Sequence, residues 1–225
     1  IFMLGTIIKQ RKIKLKKKIS IKEFSKKLDT VNYIVLSPGI NIKKTRLKRK
    51  LLKNKNKIIT DIDLFYISNP GIKSIVVTGT NGKSTTCKII EHLLKKNRFK
   101  IQLGGNIGEP ILNIRKSKNS LFVIEASSFQ LSYSKFIKPN YALILNITKD
   151  HLDWHGNMKN YTNSKFKIFL LQQKKDFAFL KQKKLIKKFK KSNNLSSLKF
   201  VSFLRYKKIK EKIENNYLKL KTNDE

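Results

Sequence analysis

The sequence predicts an α/β fold in which a mostly parallel sheet is flanked by helices, and three observations lead to it. Short β-branched runs alternate with segments of helical apolar spacing, as crossover-connected parallel strands require. Polar clusters directly follow several of these runs, and in open α/β sheets ligands bind beyond the carboxyl ends of the strands. Finally, in residues 74–85, SIVVTGTNGKST, the strand Ile75-Val76-Val77 feeds a turn on Gly79 and Gly82 that opens a helix at Lys83. Backbone N–H groups of such a turn and of the helix N-terminus converge on an anion, and glycine lets the backbone come close. In loops of the form G-x-x-x-x-G-K-[ST] the lysine reaches the outer phosphates and the hydroxyl holds Mg²⁺. Here Val77 occupies the first glycine position, so G-x-x-G-K-S-T remains. The candidate nucleotide-binding residues are Gly79, Thr80, Asn81, Gly82, Lys83, Ser84 and Thr85. A plain glycine turn with a solvated lysine would leave this run of small and hydroxyl residues unexplained.

In chain order, residues 1–30 give a broken alternation of Ile13, Leu15, Ile19 and Ile21 among lysines, and no site is placed there. Residues 33–36 read as a buried strand ending in the turn Ser37-Pro38-Gly39-Ile40. A helix is predicted over 44–54, a short strand over 57–59, and a helix over 61–67 capped by Asp61. Asn69-Pro70-Gly71 punctuates the chain and sets the expected boundary between domains 1–70 and 71–225. After the loop, Ile89, Ile90, Leu93 and Leu94 form one apolar helix stripe, with His92 off it and Cys87 a small packed residue. Residues 99–103 read as a strand leading into a glycine-rich loop, 104–108. Residues 121–124 form a strand ending at Glu125, and 141–145 a strand ending at Asn146, with Asp150 and His151 just beyond. Asn157 caps a helix to about residue 171, on which Tyr161 and Lys165, four apart, share a face. Residues 176–180 and 199–204 read as two further strands.

Hydrophobic residues make up 40% of the 225, enough for a core, while the formal net charge of +38 is extreme. A specific nucleic-acid binder concentrates Arg, Lys and stacking aromatics on one face. Here lysine is spread over every surface segment, which predicts non-specific attraction of polyanions and no dedicated nucleic-acid partner. The single cysteine rules out an internal disulfide and suits a reducing compartment. No run of about 18 apolar residues is present, so a cytoplasmic protein without a transmembrane helix is expected.

Taken in order, GTNGKST, GGNIG, EASSFQL, LNITKDHLDWHG and NYTNSKFKIF resemble the central domain of the Mur ligases of peptidoglycan synthesis. GGNIG and SSFQL are most similar to the branch that adds D-glutamate to UDP-N-acetylmuramoyl-L-alanine. The SPGI turn and the DIDLF segment resemble that branch's Rossmann-like, UDP-binding N-terminal domain. The resemblance runs from about residue 33 to 169 and fades after 179. It implies an ATP- and Mg²⁺-dependent amide ligase acting through an acyl phosphate, as a monomer. It implies catalytic roles for Lys83, Glu125, His151 and Lys165. The implied metal ligands are Ser84, Glu125, His151 and Lys165, the last as a carbamate. Ser37, Pro38, Gly39, Asn106, Ser127, Gln130 and Tyr161 match substrate positions. The resemblance also implies a glycine-rich UDP unit before residue 33 and a third domain after the central one. Neither is legible here, so the expectation is a chain with a partial N-terminal domain and no C-terminal domain, inactive in ligation by itself. Another Mur ligase, a folate polyglutamate ligase, or a nucleotide-dependent nucleic-acid-binding ATPase are the alternative readings.

Overall fold

The computed structural model describes residues 2–4, 20–114, 119–192 and 194–200. Two parallel sheets form. The smaller joins β1 (Phe2–Leu4), β2 (Ile34–Leu36) and β3 (Ile58–Ile59) in that order, with α1 (Ile21–Lys27), α2 (Lys48–Lys53) and α3 (Asp61–Ser68) around it. The larger is built from β4 (Lys73–Thr78), α4 (Lys83–Lys96), β5 (Ile101–Gly105), β6 (Leu121–Glu125), α5 (Ser128–Tyr133) and β7 (Tyr141–Ile144). It continues through α6 (Leu152–His155), α7 (Met158–Phe166), β8 (Phe177–Leu180), α8 (Lys183–Lys190) and β9 (Ser197–Phe200). Its strand order is β5-β6-β4-β7-β8-β9, parallel throughout. The expected parallel sheet flanked by helices is therefore what forms.

Side chains alternate between the faces of a strand, and here both faces are covered. Val76, Phe122, Ile124, Ala142, Ile144 and Ala178 point to one layer, where residues of α3, α5, α7 and α8 pack. Ile75, Val77 and Val123 point to the other, against Cys87, Ile90 and Leu94 of α4. Helix α3 precedes the Asn69-Pro70-Gly71 punctuation, yet its Ile62, Phe65 and Tyr66 belong to the core of the larger sheet. Among the described residues no helix is long and apolar enough to cross a membrane.

Several local expectations are corrected. The stripe on α4 divides: Ile90 and Leu94 pack inward, while Ile89 and Leu93 are 53% and 52% exposed. The cap of α3 is Thr60, whose extended backbone (φ −116°, ψ 174°) leaves Asp61 already inside the helix. Gly104 and Gly105 belong to strand β5, and only the residues after them form the loop. A Cβ on Gly104 would lie 2.6 Å from the Glu109 carbonyl oxygen. The helix expected over 44–54 shortens to α2, and the lysine-rich segment before residue 33 holds β1 and α1, the latter capped by Ser20, whose hydroxyl accepts from the Glu23 N–H at 3.1 Å. Strand β9 begins two residues before the predicted start of 199, and residues 201–204 lie outside the described residues.

One buried carboxylate ties α3 to the segment after α5. Asp63 accepts from the Ser134 hydroxyl (2.6 Å) and from the N–H groups of Lys135 (2.9 Å) and Phe136 (2.8 Å) on Oδ1. Its Oδ2 accepts from the Thr60 N–H at 3.2 Å. Each donor left unpaired in a buried place costs about 1–3 kcal/mol. Asp63→Ala is therefore expected to lower the unfolding free energy by about 3 kcal/mol in urea titrations, and a loss below about 1 kcal/mol would mean that water replaces the carboxylate at little cost.

Candidate active site

The site is assembled at the carboxyl ends of β4, β6 and β7. Gly82 takes the left-handed conformation (φ 81°) that glycine tolerates and starts α4. Gly79 is pressed against β7, where an added Cβ would lie 3.2 Å from Leu145 Cβ and 3.3 Å from the Asn146 carbonyl oxygen. The loop is clamped by Asn146. Its carbonyl accepts from the Thr80 N–H (2.9 Å), its Oδ1 from the Asn81 N–H (2.9 Å), and its Nδ2 donates to the Asn81 carbonyl (3.0 Å). Lys83 Nζ folds back and donates to the Thr80 carbonyl at 2.8 Å.

Glu125 ends β6 and is 1% exposed. Its Oε2 accepts from the Ser84 hydroxyl (2.8 Å) and its Oε1 from the Asn106 amide (2.9 Å), so three predicted site residues converge there. The approach is close enough to demand glycine: a Cβ on Gly105 (φ 109°) would stand 2.3 Å from the Glu125 carbonyl oxygen.

Lys165, on α7, is 1% exposed. Its Nζ donates to the Gly79 carbonyl at 2.8 Å, and lies 3.5 Å from Thr78 Oγ1 and 4.7 Å from the centre of the Tyr161 ring. Burial, aided by the Lys83 cation and opposed by Asp150, pushes the amine down to about 7. Buried Tyr161 shares a hydrogen bond of 3.0 Å with the Thr80 hydroxyl, and burial raises its pKa. His151 starts α6 in a left-handed conformation (φ 50°), exposed, with Nε2 3.4 Å from Asp150 Oδ2 and its ring 4.7 Å from that of Phe129.

Other predicted residues are placed differently. Ser127 caps α5 by accepting from the Gln130 N–H (3.2 Å), and Gln130 Oε1 accepts in return from the Ser127 N–H (3.0 Å). The amide nitrogen of Gln130 is held by both oxygens of Asp61, a carboxyl whose pKa burial raises. Ser37, Pro38 and Gly39 follow β2 of the smaller sheet. They reach the site through a latch on α6: Trp154 Nε1 donates to the Gly39 carbonyl (3.4 Å), Asn41 Nδ2 to the Trp154 carbonyl (2.9 Å) and Lys44 Nζ to the Asp153 carbonyl (2.9 Å). The Ile42 N–H also donates to the Tyr133 hydroxyl at 3.1 Å.

Sequence reasoning missed Asn146 as the loop clamp and His155 altogether. His155 is buried, shares a hydrogen bond of 3.0 Å with the Ser128 hydroxyl, and stacks on Phe129 with centroids 5.7 Å apart. Burial, then the Lys165 and His151 charges, push its pKa down to about 4, so it stays neutral. The signal was available, since His151 and His155 are four apart. Among the described residues no three His, Cys, Asp or Glu side chains gather as a metal cluster.

Residues 77–224, well over half of the chain, match the family described as Mur ligase middle domain. The UDP-N-acetylmuramoylalanine–D-glutamate ligase of Rickettsia bellii (strain RML369-C) is 44% identical over 155 residues, which cover 68% of this chain and 34% of that protein. The ligase of the same name from Wolbachia pipientis wMel is 40% identical over 139 residues, 61% of this chain and 27% of that protein. This chain thus spans about a third of the length of the curated relatives it matches. Among solved structures, UDP-N-acetylmuramate:L-alanyl-gamma-D-glutamyl-meso-diaminopimelate ligase from Neisseria meningitides aligns at TM-score 0.50 and 17% identity, over 78% of this chain and 60% of that one. The MurF ligase of Thermotoga maritima, solved with ADP, aligns at TM-score 0.50 and 20% identity, over 76% of this chain and 41% of that one. These two likenesses bear on the fold alone. The family match, which takes in the glycine turn, Glu125, His151 and Lys165 together, makes the chain a member of the Mur ligase family.

Proposed function

We propose that this chain carries the nucleotide and metal site of an ATP-dependent ligase that joins D-glutamate to UDP-N-acetylmuramoyl-L-alanine. The observation that carries the reading is the buried Lys165 amine donating to the Gly79 carbonyl of the glycine turn. The D-glutamate branch is supported by the name that the relatives at 43–44% identity share. In this reading the substrate's terminal carboxylate attacks the γ-phosphorus of ATP and ADP leaves. The amine of D-glutamate then attacks the acyl carbon, phosphate departs, and an amide results. Two anions must meet at the first step, so cationic and N–H groups fixed in advance lower the barrier. Lys83 would exchange the Thr80 carbonyl for phosphate oxygens, and Asn146, by accepting from the Thr80 and Asn81 N–H groups, fixes the shape of the turn that leads into α4. The turn at Ser37, Pro38 and Gly39 would take the UDP end, next to Trp154.

A magnesium ion fits this donor set. Glu125 is a buried carboxylate held by a neutral hydroxyl and a neutral amide, with no ion pair among the described residues. Mg²⁺ takes oxygen ligands and retains waters, so Glu125 and Ser84 would hold it, and His151 with a carbamate on Lys165 would hold a second such ion. Once bound, it supplies neutralisation of phosphate charge. For the carbamate, the neutral Lys165 amine attacks CO₂. A N–C bond forms, one C=O π pair moves to oxygen, and a proton leaves to water. The remaining N–H keeps a donor for the Gly79 carbonyl.

Lys83→Ala should weaken ATP binding by about tenfold or more in calorimetry with Mg²⁺ and a non-hydrolysable analogue, because charge-assisted contacts contribute about 1.5–3 kcal/mol each. Unchanged affinity would remove the loop assignment. Turnover is tested in the whole ligase, where ADP release from ATP and UDP-N-acetylmuramoyl-L-alanine should require D-glutamate and vanish in Lys165→Ala.

The low amine pKa gives a pH test. Below pH 7 the Lys165 amine is an ammonium ion without a lone pair, and above it the amine is neutral and reactive. With ¹³C-bicarbonate, a carbamate resonance should therefore grow as pH rises from about 6 to about 8 and be missing in Lys165→Met. A resonance of equal strength in the variant would place the carbamate on another lysine.

A further inference from the structure

The end of the larger sheet opposite the site carries an unusual surface. Leu170 and Leu195 are 64% and 61% exposed, and Leu171 is 40% exposed. Leu170 and Leu171 precede β8 and Leu195 precedes β9, and hydrogen bonds tie these segments to each other and to the residues before β7. Gln172 Nε2 donates to the Pro139 carbonyl (3.0 Å) and the Phe177 carbonyl (3.1 Å). The Ser197 N–H donates to the Asp176 carbonyl (2.8 Å) and its hydroxyl to the Lys174 carbonyl (3.1 Å). The Phe177 N–H donates to the Asn140 carbonyl at 2.8 Å.

The exposed charged side chains of these segments are lysines. Lys138, Lys174 and Lys175 are exposed. Between residues 126 and 200 the carboxylates are Asp150, Asp153 and Asp176. The first two stand at the site end, and Asp176 is buried, held by Asn140 and by the Gln173 N–H. The sheet is thus polarised, with the site and its carboxylates at one end and leucines among lysines at the other.

We propose that this end docks on an anionic lipid surface, with Leu170, Leu171 and Leu195 entering the headgroup layer and Lys138, Lys174 and Lys175 facing lipid phosphates. Either signal alone gives weak attachment, whereas apolar insertion combined with basic charge gives a stable one. Leucine neither stacks on bases nor bonds to their edges, so the surface suits lipid better than nucleic acid. In this orientation the strand end that carries Glu125, and Lys165 of α7 beside the glycine turn, face the water.

The test is co-sedimentation of the chain with vesicles of equal parts phosphatidylglycerol and phosphatidylcholine, and with phosphatidylcholine alone. The expected result is binding to the anionic vesicles, weak binding to the neutral ones, and a loss of about tenfold or more in affinity in the Leu170→Ser, Leu195→Ser double variant. Both side chains are exposed, so the variant should keep the wild-type circular dichroism spectrum. Failure to bind anionic vesicles would overturn the proposal, as would equal binding by the double variant, which would reduce the effect to net charge. It would also be overturned if duplex DNA bound with the same dependence on the leucines, or if ultracentrifugation without vesicles showed a dimer that the double variant abolishes.

Discussion

Strand β4 runs between β6 and β7, parallel to both, and its register decides where every group of the site stands. Val77 pairs with Glu125 and Thr78 with Ile144, so the glycine turn, the carboxylate and the Asn146 clamp leave the sheet at one level. A slip by one residue would turn the buried side chains of β4 to the opposite layers. It would also separate Ser84 from Glu125. Fixing that register are the two apolar layers, reinforced at the far end by Asn140, whose Oδ1 accepts from the Ser74 N–H at 3.0 Å. Packing between the layers thus sets the position of the polar groups that chemistry needs.

Much of this was legible because it is local. A short continuous apolar, β-branched run reveals a buried strand, and a glycine turn before a hydroxyl-rich helix start reveals an anion site. What escaped depends on partners far along the chain. Asp63 reads as an ordinary helix residue until Ser134 to Phe136, some seventy positions later, surround it. Lys165 is one cation among 52, and nothing in its own neighbours foretells burial. The α4 stripe shows the limit of periodicity, since spacing identifies an apolar face but not how much of it another layer covers. Strand β1 has three residues, too few for any alternation to register.

Two buried amines leave the α7 segment in different directions. Lys165 reaches the glycine turn, while Lys167 donates to the carbonyls of Ser132 and Ser134 at the end of α5. Burial draws the second amine down as well, to about 8. The Lys167 cation satisfies carbonyls that a helix end leaves open, a structural use. Lys165 donates a single strong bond at 2.8 Å, which leaves its nitrogen the freer of the two. Two residues apart, one lysine fastens the helix and the other remains chemically open.

The latch between the turn after β2 and helix α6 has a consequence for synthesis. Asn41 and Trp154 are 113 positions apart, and Ile42 and Tyr133 are 91 apart. A ribosome adding about 5–20 residues per second needs roughly 5–25 s to pass from Asn41 to Trp154. For that time the turn is without its partner on α6, and the smaller sheet must hold its position on its own core, built from Phe24, Ile34, Leu36, Leu51 and Ile58. The latch is therefore closed late, by the arrival of a four-residue helix, and any pause before residue 152 prolongs the interval in which it stands open.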